Sequence, residues 1–251
     1  IAKALAAIGD PSALPELLSI SRYPLNQWTE AEVARAISSI VRRDLTDESF
    51  IVVTQACRDS DVGVRRVACR ALGEIRDPEA VPALIQALQD SDRIVRHEAA
   101  VALGAIGDPE AVPALIQALR DEDRLVRDSA AIALERLGGE AFEALLLAGG
   151  EHAGTVLRRL LMNSNDLTFR FVSAIRSGSS TALEALRLIA NYGDEANIDA
   201  TQVAEAILDY LEEYQRDEDI ETAIWALSRL MGGKAKAIVD IIRPRLVRSR
   251  A

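Results

Sequence analysis

The chain has 251 residues and a formal net charge of −10, and its composition is 49% hydrophobic but only 4% aromatic. So acidic a chain lacks the basic surface that nucleic-acid binding needs, and no apolar run approaches the ~18 residues of a membrane-spanning helix. We therefore expect neither nucleic acid nor a membrane span, and two isolated cysteines, Cys57 and Cys69, indicate small buried side chains in a reducing, cytoplasmic setting.

The first sixty residues are predicted to form irregular helical units. Residues 1–8 and 12–20 are helices on either side of a Gly-Asp-Pro turn. Thr29, followed three residues later by a glutamate, is the predicted cap of a helix over residues 29–43. A further helix starts at Thr46 or Asp47 and runs to Arg58.

The connection at residues 21–29 is longer than the later turns and contains Tyr23 and Trp28. Two interpretations remain open. In one, the segment is a loop whose Trp28 and Leu25 pack on the adjacent helix, as buried tryptophans commonly do. In the other, the aromatic residues form an element beside a binding groove, because aromatic side chains are enriched where partners bind most tightly.

The centre of the chain contains a stretch that occurs twice. DPEAVPALIQALQD at residues 77–90 returns as DPEAVPALIQALRD at residues 108–121, with an offset of 31 residues. A near-identical copy at this spacing is typical of repeat proteins, and each unit has two apolar stripes of helical period. The first stripe holds Val95, Ala99, Ala102, Leu103 and Ile106, and the second holds Val112, Leu115, Ile116 and Leu119.

The turn between the two helices of a unit has its own signals. Gly107 suits the left-handed position that ends the first helix, and Asp108 is the predicted cap of the next segment. Pro113 would remove a hydrogen bond from a continuous helix. Residues 109–112 are therefore predicted to form a separate or kinked turn.

Two charged positions recur with the repeat. They are occupied by Asp61, Asp92 and Asp123, and four residues later by Arg65, Arg96 and Arg127. One interpretation is an anion-binding site. The regular spacing favours a structural ladder instead, in which the aspartates cap helices and the arginines bridge to carboxylates or carbonyls of the next unit.

After Gly138 the repeat pattern degrades. A short helix over residues 140–147 lies between glycine pairs, which indicates a shortened unit and a bend. Further helices are predicted over residues 152–163, 167–177, 180–191, 199–214, 218–231 and 234–247, with a loop at 191–197. The basic last helix either complements its own helix dipole or docks an acidic partner.

The run VRHEAAVALGAIGDPEAVPALIQAL at residues 95–119 resembles the HEAT-like repeat of the phycobilisome-lyase (PBS lyase) type. The resemblance is strong over residues 61–138 and clear over residues 4–18. It implies an all-α fold, a right-handed α-solenoid of antiparallel helix pairs. The whole chain is then a single solenoid domain, with regular units over about 61–138 and irregular units at 1–60 and 139–251.

The pair His97-Glu98 invites a metal interpretation, because HEAT-like deoxyhypusine hydroxylases resemble this repeat and bind two irons through recurring His-Glu pairs. The neighbouring units have Arg66 and Asp128 where His97 stands. One pair cannot supply the ligands of a di-iron centre, so we expect no metal site. No catalytic residues are predicted, because the sequence shows neither a nucleophile elbow nor a phosphate-binding glycine loop.

These observations favour a non-catalytic protein-binding scaffold or adaptor without a cofactor. Solenoids offer extended curved surfaces, and second helices usually line the concave face of HEAT-type stacks. Gln86 and Gln117 recur there and are predicted to contact the partner, together with Tyr23 and Trp28. The alternative is that both glutamines are merely good helix formers.

The resemblance also implies a second class of function. Repeats of this type occur in bilin lyase subunits or bilin chaperones that act on phycobiliproteins, and in phycobilisome-disassembly adaptors. The cofactor would then be a linear tetrapyrrole bilin. The partner would be a phycobiliprotein or a second HEAT-like subunit.

Overall fold

The computed structural model describes residues 10–23, 26–43, 47–163, 167–178, 180–192, 199–213 and 217–230. Within these ranges the chain forms 14 α-helices and three short 3-10 helices, and it forms no strand, so the all-α prediction is confirmed. The helices predicted over residues 1–8 and 234–247 lie outside the described residues, as does most of the loop predicted at 191–197.

The chain divides into two compact units, Ile1–Leu137 and Gly138–Ala251. The first unit contains α1 (Leu14–Ile20), α2 (Gln27–Arg43), α3 (Asp47–Ala56), α4 (Val62–Ile75), α5 (Val81–Ala87), α6 (Arg93–Ile106), α7 (Val112–Ala118) and α8 (Arg124–Leu137). The second contains α9 (Gly139–Ala148), α10 (Gly150–Asn163), α11 (Leu167–Arg176), α12 (Ser180–Tyr192), α13 (Ala200–Glu213) and α14 (Asp217–Leu230). The single-domain organisation stays a prediction.

The helices of the first unit lie in two layers, as a solenoid of helix pairs requires. In the first-helix layer, α2, α4, α6 and α8 pack side by side. In the second-helix layer, α1, α3, α5 and α7 each pack against the first helix that follows in the chain. Leu103 and Leu134, at equivalent positions of the predicted apolar stripe, are fully buried between the layers.

Glycines allow the first helices to approach one another closely. A Cβ atom added at Gly73 would lie 2.8 Å from the Cα atom of Ala102, and one added at Gly104 would lie 2.8 Å from the Cα atom of Ala133. Both neighbouring atoms belong to the backbone, so they have little freedom to move. A side chain at either glycine would therefore push two helices apart.

The turn between paired helices has the predicted form. Gly107 ends α6 in the left-handed conformation, with φ 77°. The Asp108 carboxylate accepts a hydrogen bond of 2.8 Å from the backbone N–H of Glu110. A 3-10 helix, Pro109–Ala111, then precedes α7, which leaves Pro113 in the first turn of α7, where its missing N–H breaks no bond.

Helix α2 begins earlier than predicted, and the assignment of Thr29 as its cap is wrong. The Asn26 carboxamide oxygen accepts hydrogen bonds of 2.9 Å from the backbone N–H of Thr29 and 2.6 Å from its hydroxyl. Asparagine caps helices as well as threonine does. The cap therefore moves three residues towards the N-terminus, and Trp28 lies within the first turn of the helix.

Helices of the second unit also stack, α11 against α13 and α12 against α14. The predicted short helix is α9, bounded by Gly138 at φ 58° and Gly149 at φ 56°. Phe142 and Phe171 are fully buried and meet edge to face, with ring centroids 4.8 Å apart. No helix among the described residues is long and apolar enough to cross a membrane.

The two cysteines are free and buried, as the sequence predicted. The sulfur atoms of Cys57 and Cys69 are 3.8 Å apart, where α4 packs against the end of α3. The hydrogen bond to Cys57, together with burial, raises the pKa of the Cys69 thiol well above its ordinary value. Cys69 therefore stays a neutral thiol at neutral pH.

Candidate functional site

Arg65 joins the turn that precedes α4 to the turn that precedes α6. Its guanidinium forms a bidentate ion pair with the Asp90 carboxylate, with hydrogen bonds of 2.7 Å and 2.9 Å. A third nitrogen donates to the backbone carbonyls of Asp59 and Ser60 at 3.0 Å and 3.1 Å. The bond to Asp90 raises the pKa of Arg65. This arginine therefore fixes the start of its own helix and the start of the next unit together.

Arg96 repeats this arrangement one unit further on. It bonds to Asp121 at 2.8 Å and 2.9 Å and to the carbonyls of Asp90 and Ser91 at 2.9 Å and 3.3 Å. Burial tends to raise the pKa of Asp121, but the hydrogen bonds from Arg96 lower it overall. Arg127 keeps the corresponding bond to the carbonyl of Asp121, at 2.7 Å.

Asp61, Asp92 and Asp123 cap the first helices. Each carboxylate accepts a bond from the backbone N–H two residues ahead, at 2.8, 3.0 and 2.8 Å respectively. Asp92 also pairs with Arg66 at 2.9 Å, and Asp123 pairs with Arg93 at 3.0 Å. The pairs of Asp92 with Arg66 and of Asp123 with Arg93 join one unit to the next, as the structural interpretation expects.

His97 and Glu98 each bond to a side chain of a neighbouring repeat unit. His97 Nδ1 lies 2.6 Å from the hydroxyl oxygen of Ser129, which itself donates to the carbonyl of Leu125 at 2.8 Å. His97 is therefore the donor in the first bond. The buried carboxylate of Glu98 accepts a bond of 3.1 Å from Arg70 Nε. In the described part of the chain, no three His, Cys, Asp or Glu side chains form a potential metal site.

The recurring glutamines lie on the second-helix layer. Gln86 in α5 and Gln117 in α7 are exposed, and their carboxamides have no hydrogen-bond partner among the described residues. Gln55 in α3 is exposed in the same way and lies 31 residues before Gln86. Sequence reasoning missed Gln55, although the repeat offset could have identified it. The concave position of this layer stays a prediction.

A groove of about 300 Å³ lies at one end of this glutamine row, between α1 and α3. Its lining includes the apolar side chains of Leu18, Val52 and Val64. Gln55 on α3 also lines it, and so does Ser19 on α1. Ser19 holds the position in the first repeat that Gln86 holds later, counted from the shared Asp-Pro turn.

The predicted aromatic contacts are exposed. Tyr23, just after α1, is 71% exposed, and Trp28, in the first turn of α2, is 83% exposed. The interpretation in which Trp28 packs on the adjacent helix is therefore wrong. Their role in binding a partner stays a prediction.

Comparisons with known proteins identify the repeat type. Residues 51–135 match the sequence profile of HEAT repeats, and residues 1–22 match that of the PBS lyase HEAT-like repeat. No curated protein matches.

Several solved structures are similar to the chain. An engineered protein has 26% identity and a TM-score of 0.40, with 89% of this chain and 90% of that chain covered. The complex of CpcE and CpcF of phycocyanin lyase from Nostoc sp. PCC7120 has 20% identity and a TM-score of 0.43, covering 86% and 94%. An archaeal HEAT-like repeats protein from Thermococcus onnurineus NA1 has 15% identity and a TM-score of 0.44, covering 84% and 99%.

The profile matches agree with the 31-residue period, the paired helices and the ladder. The chain therefore contains HEAT-like repeats, which match the HEAT profile over residues 51–135 and the PBS lyase HEAT-like profile over residues 1–22.

Proposed function

We propose that this chain is a non-catalytic scaffold that binds another protein through its second-helix layer. The observation that carries the proposal is the row of exposed carboxamides of Gln55, Gln86 and Gln117, at one position of three successive units. Each carboxamide offers both donors and an acceptor, so the row matches the polar groups of a polypeptide.

The contrast with the other recurring polar residues supports this choice. The aspartates and arginines of the ladder bond to one another or to backbone within the stack. The glutamines recur with the same period but make no such bonds in the described ranges. Their side chains are therefore available to a partner without loss of any contact that stabilises the fold.

The test replaces Gln55, Gln86 and Gln117 together by alanine. We expect the thermal denaturation midpoint to stay close to that of the wild type, since exposed substitutions usually change stability by about 0.5 kcal/mol or less. Partner capture from a lysate of the source organism, quantified by mass spectrometry, should fall at least fivefold. Gln89→Ala, an exposed glutamine outside the row, is the matched control. Undiminished capture by the triple variant would contradict the proposal.

A second candidate is a bilin lyase subunit, a bilin chaperone or a phycobilisome-disassembly adaptor, with a phycobiliprotein or a second HEAT-like subunit as partner. The observation that favours it is the match of residues 1–22 to the PBS lyase HEAT-like repeat. For the lyase and chaperone forms, the test mixes the purified chain with the linear tetrapyrrole biliverdin. A shift of the visible absorbance that saturates with protein supports a bilin site, and an unchanged spectrum at excess protein counts against it.

A further inference from the structure

Charge is divided unequally between the two layers of the first unit. The second helices with their flanking turns, residues 10–23, 47–59, 77–91 and 108–122, carry twelve acidic residues and three arginines. The first helices with their caps, residues 26–43, 61–76, 92–107 and 123–137, carry nine acidic residues and twelve arginines. Only the second-helix layer is therefore strongly acidic.

The ion pairs between layers do not neutralise this surface. Asp90 and Asp121 are bridged by arginines of the first helices. Glu79 and Glu110, at equivalent exposed positions before α5 and α7, have no ion pair in the described part of the chain. A ligand that covers this layer therefore meets free negative charge, and electrostatic complementarity requires it to be basic.

The glutamine row sets the backbone conformation of that ligand. Successive first helices pack side by side, and packed helices lie about 8–10 Å apart, so the repeat units and their glutamines advance by about this distance. An extended chain advances about 3.3 Å per residue, so successive glutamines meet about every third residue of an extended segment. An extended segment has free backbone N–H and C=O groups that a carboxamide can bind. A helix has already used these groups in its own hydrogen bonds.

The groove between α1 and α3 continues the row at its N-terminal end and offers an apolar contact. Its volume of about 300 Å³ is at the small end of ligand pockets, so it suits one or two side chains. At its rim, Arg22 uses one guanidinium nitrogen to pair with Asp59 at 3.2 Å. The Arg22 side chain is 57% exposed, and the remaining donors of its guanidinium match a backbone carbonyl beside the docked side chain.

We propose that the second-helix layer binds a basic, extended polypeptide segment of the partner, with its backbone on the carboxamides of Gln55, Gln86 and Gln117 and one apolar side chain in the groove between α1 and α3. This inference rests on the proposed function and adds the chemistry of the segment. The four second helices span about 30 Å, which an extended segment of about nine residues covers.

The probe is a phage-displayed library of random peptides of about twelve residues, which exceeds that span. Selection on the full chain should enrich peptides that are rich in Lys and Arg and share one apolar position. The dissociation constants of enriched peptides are then measured by fluorescence anisotropy at low and high salt. We expect binding to weaken at least tenfold at high salt, because the contact is exposed to solvent.

Two variants test the two parts of the inference. Ser19→Trp fills the groove and should weaken peptide binding at least tenfold, whereas Ser12→Trp, at an exposed position outside the groove, should not. Residues Glu79 and Glu110 are replaced together by lysine, which should weaken binding at least tenfold by reversing local charge.

The matched control for charge is the double replacement of Glu143 and Glu205 by lysine. Both are exposed residues of the second unit, so the net charge changes equally at positions outside the row. Equal weakening by the two double variants would show that only overall charge matters and would overturn the inference.

The outcomes separate this inference from the proposed function. Enriched peptides that tolerate Ser19→Trp, that carry no excess of basic residues, or that are helical when bound by circular dichroism would overturn it. Failure to enrich any peptide would do the same. In each case the proposed scaffold stands if the triple glutamine variant still loses its protein partner, and it falls separately if that variant captures the partner normally.

Discussion

At the scale of single residues, Arg76 stands out because it is the one described residue other than glycine with a positive φ, at 61°. It ends α4 at the place where Gly107 ends α6. The left-handed conformation costs a residue with a Cβ atom about 1 kcal/mol, and glycine avoids this strain. Part of the gain from glycine is offset by its more flexible unfolded state.

We therefore expect Arg76→Gly to raise the free energy of unfolding by about 0.5 kcal/mol. Gly107→Ala is the mirror control and should lower it by about 1 kcal/mol, because alanine must adopt the strained conformation. Equilibrium urea denaturation of both variants measures the two changes. If Arg76→Gly lowers the stability as well, backbone strain at this position is not the controlling factor.

Residues that follow the repeat were predictable from the sequence, and residues at its edges were not. Gly107 and Pro113 carry turn signals that are local and unambiguous. Thr29 was assigned as a cap because it matches a capping pattern, yet the Asn26 side chain caps the helix instead. Gln55 keeps the repeat offset, and Ala56 and Asp59 after it match the later units, but most of the residues before it, at positions 46–54, depart from the repeated stretch, so sequence reasoning did not extend the row to it.

At the scale of elements, the ion pairs between units link stability to pH. The pKa of Asp121 is lowered in the folded state, mainly because hydrogen bonds from Arg96 outweigh burial. A group with a lowered folded pKa adds stability above its unfolded pKa, about 3.9 for aspartate, and this stability is lost as the pH falls through the folded pKa. Asp92 has a lowered pKa as well and adds to the same slope.

The free energy of unfolding should therefore fall as the pH decreases from about 5 to below 3. Asp121→Asn should reduce the stability at neutral pH and make this pH dependence shallower, since one titrating group is gone. Urea denaturation over a pH series measures both effects. Glu143→Gln, at an exposed carboxylate of α9 outside the ladder, provides the control and should keep the wild-type slope. An Asp121→Asn slope equal to that of the wild type would contradict this linkage.

Close packing of the first helices gives a second prediction for this scale. Gly104→Ala should destabilise the chain by about 1–3 kcal/mol, because the new Cβ would lie 2.7 Å from the Cβ and 2.8 Å from the Cα of Ala133. Gly154→Ala in α10 is the control, since nothing lies within 4 Å of its added Cβ. There alanine should stabilise the helix by up to about 1 kcal/mol.

Thermal or urea denaturation of the two alanine variants decides between packing and helix propensity. Propensity alone predicts stabilisation at both positions. Opposite signs at Gly104 and Gly154 would show that contact between helices controls the first position. Stabilisation at both would show that α6 and α8 can separate at little cost, contrary to their close approach at Ala133.

The ladder shows what a sequence period reveals about elements and what it leaves out. The recurrence of Arg65 and Arg96 predicted bridges to carboxylates or carbonyls of the next unit. The carboxylates that they reach instead end each arginine's own unit, directly before the next first helix. The period could not identify the acceptors as Asp90 and Asp121, because several carboxylates recur at the same offset. Which of them an arginine reaches depends on the step from one helix pair to the next, and that step is a property of packing.

At the scale of the whole molecule, the net charge of −10 hides an internal division. The net charge shows that the chain is acidic, but it does not show where the acidic residues lie. Once the helices are assigned to layers, the acidic excess of the first unit falls on the second helices. Arg66 and Arg93 of the first helices form ion pairs between units, while carboxylates such as Glu79 and Glu110 stay on the surface where a basic partner segment is proposed.

The division of the chain into two compact units leads to the last prediction. Helices α2, α4, α6 and α8 contact one another within residues 1–137, and repeat units are stabilised chiefly by their neighbours. A fragment of residues 1–137 should therefore fold alone, with a helical circular dichroism spectrum and a cooperative urea transition. It contains all four second helices, so it should bind the selected peptides with an affinity within about threefold of that of the full chain, a difference of ~0.7 kcal/mol.

A fragment of residues 138–251 serves as the control and should not bind them. If fragment 1–137 is unfolded, its stacking does not suffice for stability; if it folds but fails to bind, the acidic layer is not the complete binding surface.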